Sequence, residues 1–348
     1  MKKISFTTLL GLLLALISVA CRYSTALADF YSTRIYPWVS AVLSWLAAWS
    51  PINLEEIAIA VILVLLIVSL CRKVSWKHRL ANVGKMLLWT YVWFYWGWCI
   101  NYSRSNIYAR IGALPEQYDQ AELISYANDF VNLTNLSWTD EPLPSQAELE
   151  AEIKQFYAQV PKQYGLSTPR SWQHPKTSVV NGVYSASGIC GFMAPLFAES
   201  CINSDILLRD YPFTYAHEYA HLMGVSSEAE ANWWAFQACT HSSNPAVRYS
   251  GYKGIITYIM NDVYRSLGPD EYNLWRSAIS PSVVADLRAT SQHWRSLRSE
   301  KWDSLQNSIY DLFLKGNNVE GGMKNYSYVV SLLISLEPDF ASKDVKTK

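Results

Sequence analysis

The apolar positions divide the chain near residue 105. Before it lie three uncharged apolar runs: Ile4–Cys21 between Lys3 and Arg22, Ile57–Cys71, and Met86–Ser103 between Lys85 and Arg104. A membrane-crossing helix needs about 20 mostly apolar residues, within a range of roughly 17–25. A single such run is also open to the reading of a buried core helix, the lesser alternative. Three of them with basic flanks predict a membrane region, residues 1–105, with three transmembrane helices at about 4–21, 54–71 and 86–103. Lys2 and Lys3 also give the first run the shape of a signal peptide. Ser18-Val19-Ala20-Cys21 is a poor lipoprotein-like end, so an uncleaved span is the preferred reading. The third run is dense in Trp and Tyr (Trp89, Tyr91, Trp93, Tyr95, Trp96, Trp98), which favour the headgroup level. Tyr36–Trp49, with Trp38, Trp45 and Trp49, reads either as a segment on the membrane surface or as a helix packed on the spans.

After residue 105 the pattern is that of a globular domain, 106–348, mainly α with a small β-sheet. Helical spacing runs over Glu116–Leu133, and a polar connector, Ser137–Pro144, follows. Ser145 and Glu148 have capping-box spacing and open a helix predicted to reach about Tyr164. Ser178–Tyr184 and Ile189–Phe197 read as short strands bounded by Gly. Beyond Tyr211 nearly everything reads helical, and Ser280-Pro281 starts a helix predicted to run to Leu314.

Charge sharpens the division. The whole chain is neutral, yet residues 1–105 hold ten Lys/Arg against three Asp/Glu, and the remainder holds 19 against 26. No basic excess marks the second part, which argues against a nucleic-acid partner. The basic residues sit at Lys2 and Lys3 and at Arg72, Lys73, Lys77, Arg79 and Lys85, whereas only Arg22 and Arg34 lie between the first two runs. Three spans with both basic ends in the cytoplasm place residues 104–348 outside. Of the six cysteines, Cys190, Cys201 and Cys239 belong to that outer part. A Cys190–Cys201 disulfide suits an oxidising compartment, and free buried thiols are the equal alternative.

The candidate chemistry lies at His217-Glu218-Tyr219-Ala220-His221. On a helix, positions i and i+4 share a face, so both imidazoles are able to grip one metal ion while Glu218 reaches its water. Pro212 favours the helix start and Gly224 its end. Ser227 and Glu230 then match an N-cap and its partner three residues on, which accounts for Glu230 structurally. Glu228 is left over as the third ligand, with Glu230 the alternative. Asn232, one turn further, is placed to hydrogen-bond a ligand His.

His217-Glu218-x-x-His221 with Glu228-x-x-Ala231-Asn232 resembles the gluzincin layout, in which a Glu on the following helix completes a zinc site. More specifically, the chain resembles the bacterial domain-of-unknown-function 3810 family of membrane-anchored zincins. The matching residues include Trp96-Gly97, Asn101-Tyr102-x-Arg104, Gly188-x-x-Gly191-Phe192, Pro195-x-x-x-Glu199, Pro212-Phe213-Thr214, Arg248-Tyr249-Ser250-Gly251-Tyr252, Leu314-Lys315, Gly321-Gly322 and Tyr326-Ser327. The interval from His221 to Glu228 is short for a gluzincin.

The resemblance implies a zincin-like metalloprotease domain behind the membrane region, with Zn2+ as cofactor and a protein or peptide as substrate. His217, His221 and Glu228 would hold the metal, and Glu218 would serve as the base. Tyr249, Tyr252 and Tyr326 are candidate oxyanion donors, with Arg248 and His241 behind them. Ile189–Phe197 offers an edge for an extended peptide, or is a plain core strand. The alternative function is a non-catalytic zinc-binding envelope protein with a structural or sensing role, against which an intact Glu218 argues. Charges on both sides of the motif leave no apolar run of span length there, which disfavours an intramembrane protease.

Overall fold

The computed structural model describes residues 5–299 and 328–336. Its first part is built from α1 (Phe6–Arg22), α2 (Thr25–Phe30), a π-turn at Tyr31–Ile35, α3 (Tyr36–Ala47), α4 (Leu54–Cys71) and α5 (Trp76–Gly97). Of the described helices, α4 alone is long and apolar enough to cross a membrane. The pair formed by α1 and Thr25–Ala47 qualifies only jointly and is bent by 115°. The expected three-helix membrane region is therefore corrected to one such helix, or two at most.

The third apolar run fails for a visible reason. Its helix begins at Trp76, well before Met86, and so carries Lys77, His78, Arg79 and Lys85. It ends at Gly97, and Cys99–Ser103 form a 3-10 turn. Trp98, Cys99, Ile100 and Asn101 are buried in protein. Core burial and lipid burial leave the same apolar signature in sequence.

Helix α1 lies along α5: the Trp96 indole donates to the Leu14 carbonyl at 3.1 Å, and Gly11 leaves room for Leu88. Helix α3 turns Tyr36, Ser40, Ala41, Ser44 and Ala47 inward. It leaves Trp38 and Trp45 71% and 61% exposed, and Trp49 beyond its end 77% exposed.

The second part contains α6 (Ile107–Ile111), α7 (Gln120–Ser137), α8 (Gln146–Gln159), α9 (Asn181–Ala186), α10 (Tyr211–Leu222), α11 (Glu228–Thr240), α12 (Pro245–Ser266), α13 (Pro269–Arg276), α14 (Pro281–Leu297) and α15 (Tyr328–Ser335). Two capping boxes set helix starts. Asp119 with Glu122 opens α7 four residues after the expected Glu116, and Ser145 with Glu148 opens α8 where the spacing predicts it. Pro161 follows α8, so Lys162–Tyr164 form only a 3-10 turn. Helix α14 stops at Leu297, where Arg298 turns extended and the Ser299 amide bonds the Ala186 carbonyl. The remainder of the predicted helix to Leu314 lies outside the described residues. Trp233, Trp234, Tyr157, Tyr215 and Tyr219 fill the centre of the core.

The sheet has three strands in the order β1-β3-β2: β1 (Pro175–Lys176), β2 (Gly191–Ala194) and β3 (Glu199–Ile202). β1 is parallel and β2 antiparallel to β3. β2 falls inside Ile189–Phe197 as expected, but Ser178–Tyr184 is not a strand. The Glu56 carboxylate takes the Ser178 hydroxyl and the Val179 amide, and α9 follows. Phe192 stands opposite Cys201, so Cys190 faces Asn203, whose amide it accepts. The register separates Cys190 from Cys201, and all six cysteines are free.

The start of α4 is built directly onto this sheet. The Leu54 amide donates to Glu199 Oε2 at 3.0 Å, and the Leu196 amide donates to Glu55 at 2.7 Å. The buried Lys176 ammonium bonds Glu199 Oε1 and the Ala47 carbonyl, both at 2.5 Å. Removing one member of a buried pair leaves an uncompensated charge, at a cost of about 3–5 kcal/mol. Lys176→Met should therefore lower the thermal unfolding midpoint of the detergent-solubilised chain markedly, and Glu199→Gln added to it should restore much of the loss. An unchanged midpoint in Lys176→Met would refute this role.

Candidate metal centre

Helix α10 carries His217 and His221 on one face, and Pro212 occupies its first turn. It is stopped by Gly224 at φ +95°, a left-handed position at which a Cβ would also lie 3.3 Å from the Tyr36 ring. Groups from the first part of the chain close this turn. The Tyr36 hydroxyl donates to the Leu222 carbonyl at 3.2 Å, and Arg104 donates to the Gly224 and Gly165 carbonyls at 2.8 Å each. The Ser226 hydroxyl then bonds the Asn101 carbonyl. Ser227 caps α11 by accepting the Glu230 amide.

The reversal puts Glu228 against the histidines. Its Oε2 lies 3.1 Å from His217 Nε2 and 3.6 Å from His221 Nε2, and the two Nε2 atoms are 3.2 Å apart. A tetrahedral zinc with bonds near ~2.05 Å requires ligand atoms about 3.3 Å apart. The chemistry agrees with the spacing. His221 Nδ1 lies 2.7 Å from the Val225 carbonyl, which only accepts, so Nδ1 carries the proton and a neutral ring turns a lone pair inward at Nε2. Two nitrogen lone pairs and a carboxylate oxygen then face one point, where only a cation or a proton relieves their repulsion. The donor set fits a zinc ion.

Glu218 is buried on the same helix. Gly191 of β2 makes room for it, since a Cβ there would lie 2.8 Å from Glu218 Cγ. Among the described residues, Glu218 Oε2 is buried without a hydrogen-bond partner, and so is His217 Nδ1. Burial raises the Glu218 pKa, the two histidines oppose that, and Glu228 adds to it. For His221, burial works downward, but the charge and hydrogen bond of Glu228, with Glu218, outweigh it and lift the pKa to about 9. Glu228 is itself pressed upward by burial and drawn well below its ordinary value by the two histidines.

Glu230, the alternative ligand, is engaged elsewhere. Its carboxylate pairs with Arg110 and accepts the Trp234 indole N–H at 3.2 Å. The amide half of the expected cap forms, but the carboxylate serves the ion pair. Asn232 does not meet a histidine as expected, because Tyr258 takes its amide at 3.2 Å.

Of the expected oxyanion donors, Tyr249 and Tyr252 are engaged by other groups. The Tyr249 hydroxyl donates to Asp286 at 2.8 Å, and Tyr252 packs between Phe130 and Phe236. Tyr326 lies outside the described residues. Arg248 donates to the Ser242 and Ser243 carbonyls, and His241 meets the Gln237 carbonyl.

Three aromatic residues near the centre had no local signal. Trp98 sets its ring edge-on to His221 at 6.1 Å. Tyr258 is half-buried, and burial and the Glu228 charge push its pKa to about 12 against the Asn232 hydrogen bond. The hydroxyl of Tyr102 is likewise raised by burial and then by Glu228.

Residues 31–334 match the model of a family described as a protein of unknown function (DUF3810). No curated protein and no solved structure matches the chain.

The raised His221 pKa has a sign that stability measurements will read. The native state holds the proton more tightly than the unfolded chain, whose His titrates near ~6.5. Stability from this group is full below that value and is lost as pH rises through about 9. The metal-free protein should therefore show a falling thermal midpoint across that window, and His221→Gln should remove the slope. A midpoint independent of pH there would refute the assignment.

Proposed function

The chain belongs to the DUF3810 family, and we propose that it is a membrane-anchored, zinc-dependent metallopeptidase acting at the outer face of the cell membrane. The observation that carries this reading is the convergence of His217, His221 and Glu228, with their ligand atoms all within 4.8 Å of one another, beside a buried Glu218 oxygen that no group among the described residues engages. A structural metal site has no use for that carboxylate, which is why hydrolysis is favoured over a structural or sensing role.

A zinc ion held by these three side chains would supply Lewis acidity and make a water acidic enough to attack a carbonyl near neutral pH. Glu218 accepts the proton of the attacking water at Oε2 and returns it to the leaving nitrogen. The upward pull of burial on its pKa suits a group that must both take and give a proton. His221 is held in its ligating tautomer by the Val225 carbonyl. Strand β2 has no strand beyond it among the described residues, and Gly191 places it against Glu218. An extended peptide added to that edge would lie across the centre.

The direction of α4 supports the location. Its Leu54 end is bonded to the sheet, and its Cys71 end leads to Arg72, Lys73, Lys77, Arg79 and Lys85. Basic residues favour the cytoplasmic side, and α5, packed against α4 and α1, would carry the chain back from there, which would leave the sheet and the metal centre outside. A reporter that works only in the cytoplasm should be silent when fused after Lys348, and activity there would overturn the location.

The purified chain should carry about one zinc. Glu218→Gln should keep it and lose peptide hydrolysis by about 10²-fold or more. Glu228→Ala should lose the metal, whereas Glu230→Ala should keep it and lose stability by stranding Arg110. Metal analysis beside cleavage of an unfolded protein checks all three. A zinc-loaded Glu218→Gln chain that cleaves as fast as wild type would refute the mechanism.

A further inference from the structure

The peptide edge and the metal centre are mounted on the ends of the apolar helices with no linker between them. Four contacts make the mount. The Glu55 carboxylate of α4 holds the Leu196 amide at 2.7 Å, and the Trp93 indole of α5 donates to the Leu196 carbonyl at 2.8 Å. At Gly97 the α5 backbone presses so closely on Pro195 that a Cβ would lie 2.6 Å from its carbonyl oxygen. The Trp93 ring also meets Phe197 edge-on at 5.6 Å. Residues 195–197 join β2 to β3, so α4 and α5 grip the turn that ends the edge strand.

The metal centre is equally close. Trp98 directly follows the last residue of α5, and its ring is 6.1 Å from that of His221. On the same side, α3 is tied by Tyr36 to the carbonyl of Leu222. It turns Trp38, Val42, Trp45 and Leu46 outward, all more than 45% exposed. Helix α4 is exposed along its apolar length as well, with only Ser69 buried. Trp side chains settle at the headgroup level.

We infer that the substrate is the juxtamembrane segment of another membrane protein, cut at the headgroup level within the first few residues outside its span. This rests on the peptidase reading and on the membrane location. The argument is one of reach. The interfacial layer is roughly 5–8 Å thick on each side, and an extended chain advances about 3.3 Å per residue. A cleft held at that level by α3, α4 and α5 meets a neighbouring protein where its chain first leaves the bilayer. Bonds displayed far above the membrane on a rigid stalk lie out of reach, because the contacts of α3, α4 and α5 tie the cleft to the helix ends.

The test uses the full chain, zinc-loaded, in phosphatidylethanolamine–phosphatidylglycerol vesicles with two model substrates. Both have one transmembrane helix and the same unstructured outer segment. In one, that segment follows the helix directly; in the other, a rigid helical spacer of about 40 residues, or ~60 Å, intervenes. The juxtamembrane segment should be cut at least about tenfold faster, since only there does the shared membrane raise the effective concentration at the cleft. A second readout is independent of turnover. In a Glu218→Gln chain, a photoreactive benzoylphenylalanine in place of Phe192 should crosslink to the juxtamembrane substrate and not to the spaced one. Equal cutting and equal crosslinking of the two would overturn the inference and leave the peptidase reading standing. Failure of the wild type to cut either substrate, or any unfolded protein, would overturn both.

Discussion

Two imidazole nitrogens and a carboxylate oxygen held 3.1–3.6 Å apart repel one another unless a cation or a proton joins them. Bringing them together inside protein is the constraint around which the neighbouring elements are arranged. A left-handed glycine reverses the chain after α10, so that α11 starts beside the helix it follows. The Val225 carbonyl fixes one imidazole, and Arg110 draws Glu230 away so that only one carboxylate of α11 joins the group. Gly191 leaves the space into which Glu218 lies. Each device is local, and each would be pointless without the others.

The second organising feature is the junction of α4 with the sheet. A strand bearing a fully buried glutamate is tolerable only because Lys176 and the Leu54 amide meet its two oxygens. One carboxylate thereby ties three segments together: the strand that carries it, the neighbouring strand β1, and the first turn of an apolar helix. Burying charge here gives a fixed register between helix and sheet, which apolar contacts, being non-directional, would leave free to slide.

What was legible in the sequence was what depends on short range. The spacing of His217 and His221 needs only the period of a helix, and the Ser145–Glu148 box only one turn. Both stand in the structure as the spacing implies. Glu228 was legible by elimination, because Ser227 and Glu230 read as a cap, although Glu230 is committed through Arg110 rather than through the cap alone. The misses involve distant partners. Strand β3, Glu-Ser-Cys-Ile, looks unlike a core strand until Lys176 is known to lie beside it. Ser178–Tyr184 looks like a strand until Glu56, more than a hundred residues earlier, takes its first polar groups. The run ending at Ser103 looked like a span because Trp98, Cys99 and Ile100 are apolar, and they are apolar because they are core, with Trp98 packed beside His221. Tyr258 offers no pattern at all, since its partner lies on another helix.

The turn at Gly224 bears on how the molecule could be divided for study. Its carbonyl and that of Leu222 are satisfied by Arg104 and Tyr36, residues that a soluble fragment beginning at residue 106 would omit. Buried carbonyls stripped of such donors cost about 1–3 kcal/mol each, and the loss would fall on the loop that sets Glu228 against the histidines. The apolar helices are thus not a severable handle. A water-soluble version of the centre would have to be engineered by replacing the exposed apolar side chains of α1, α3, α4 and α5 with polar ones while keeping the backbone that carries Tyr36, Trp98 and Arg104.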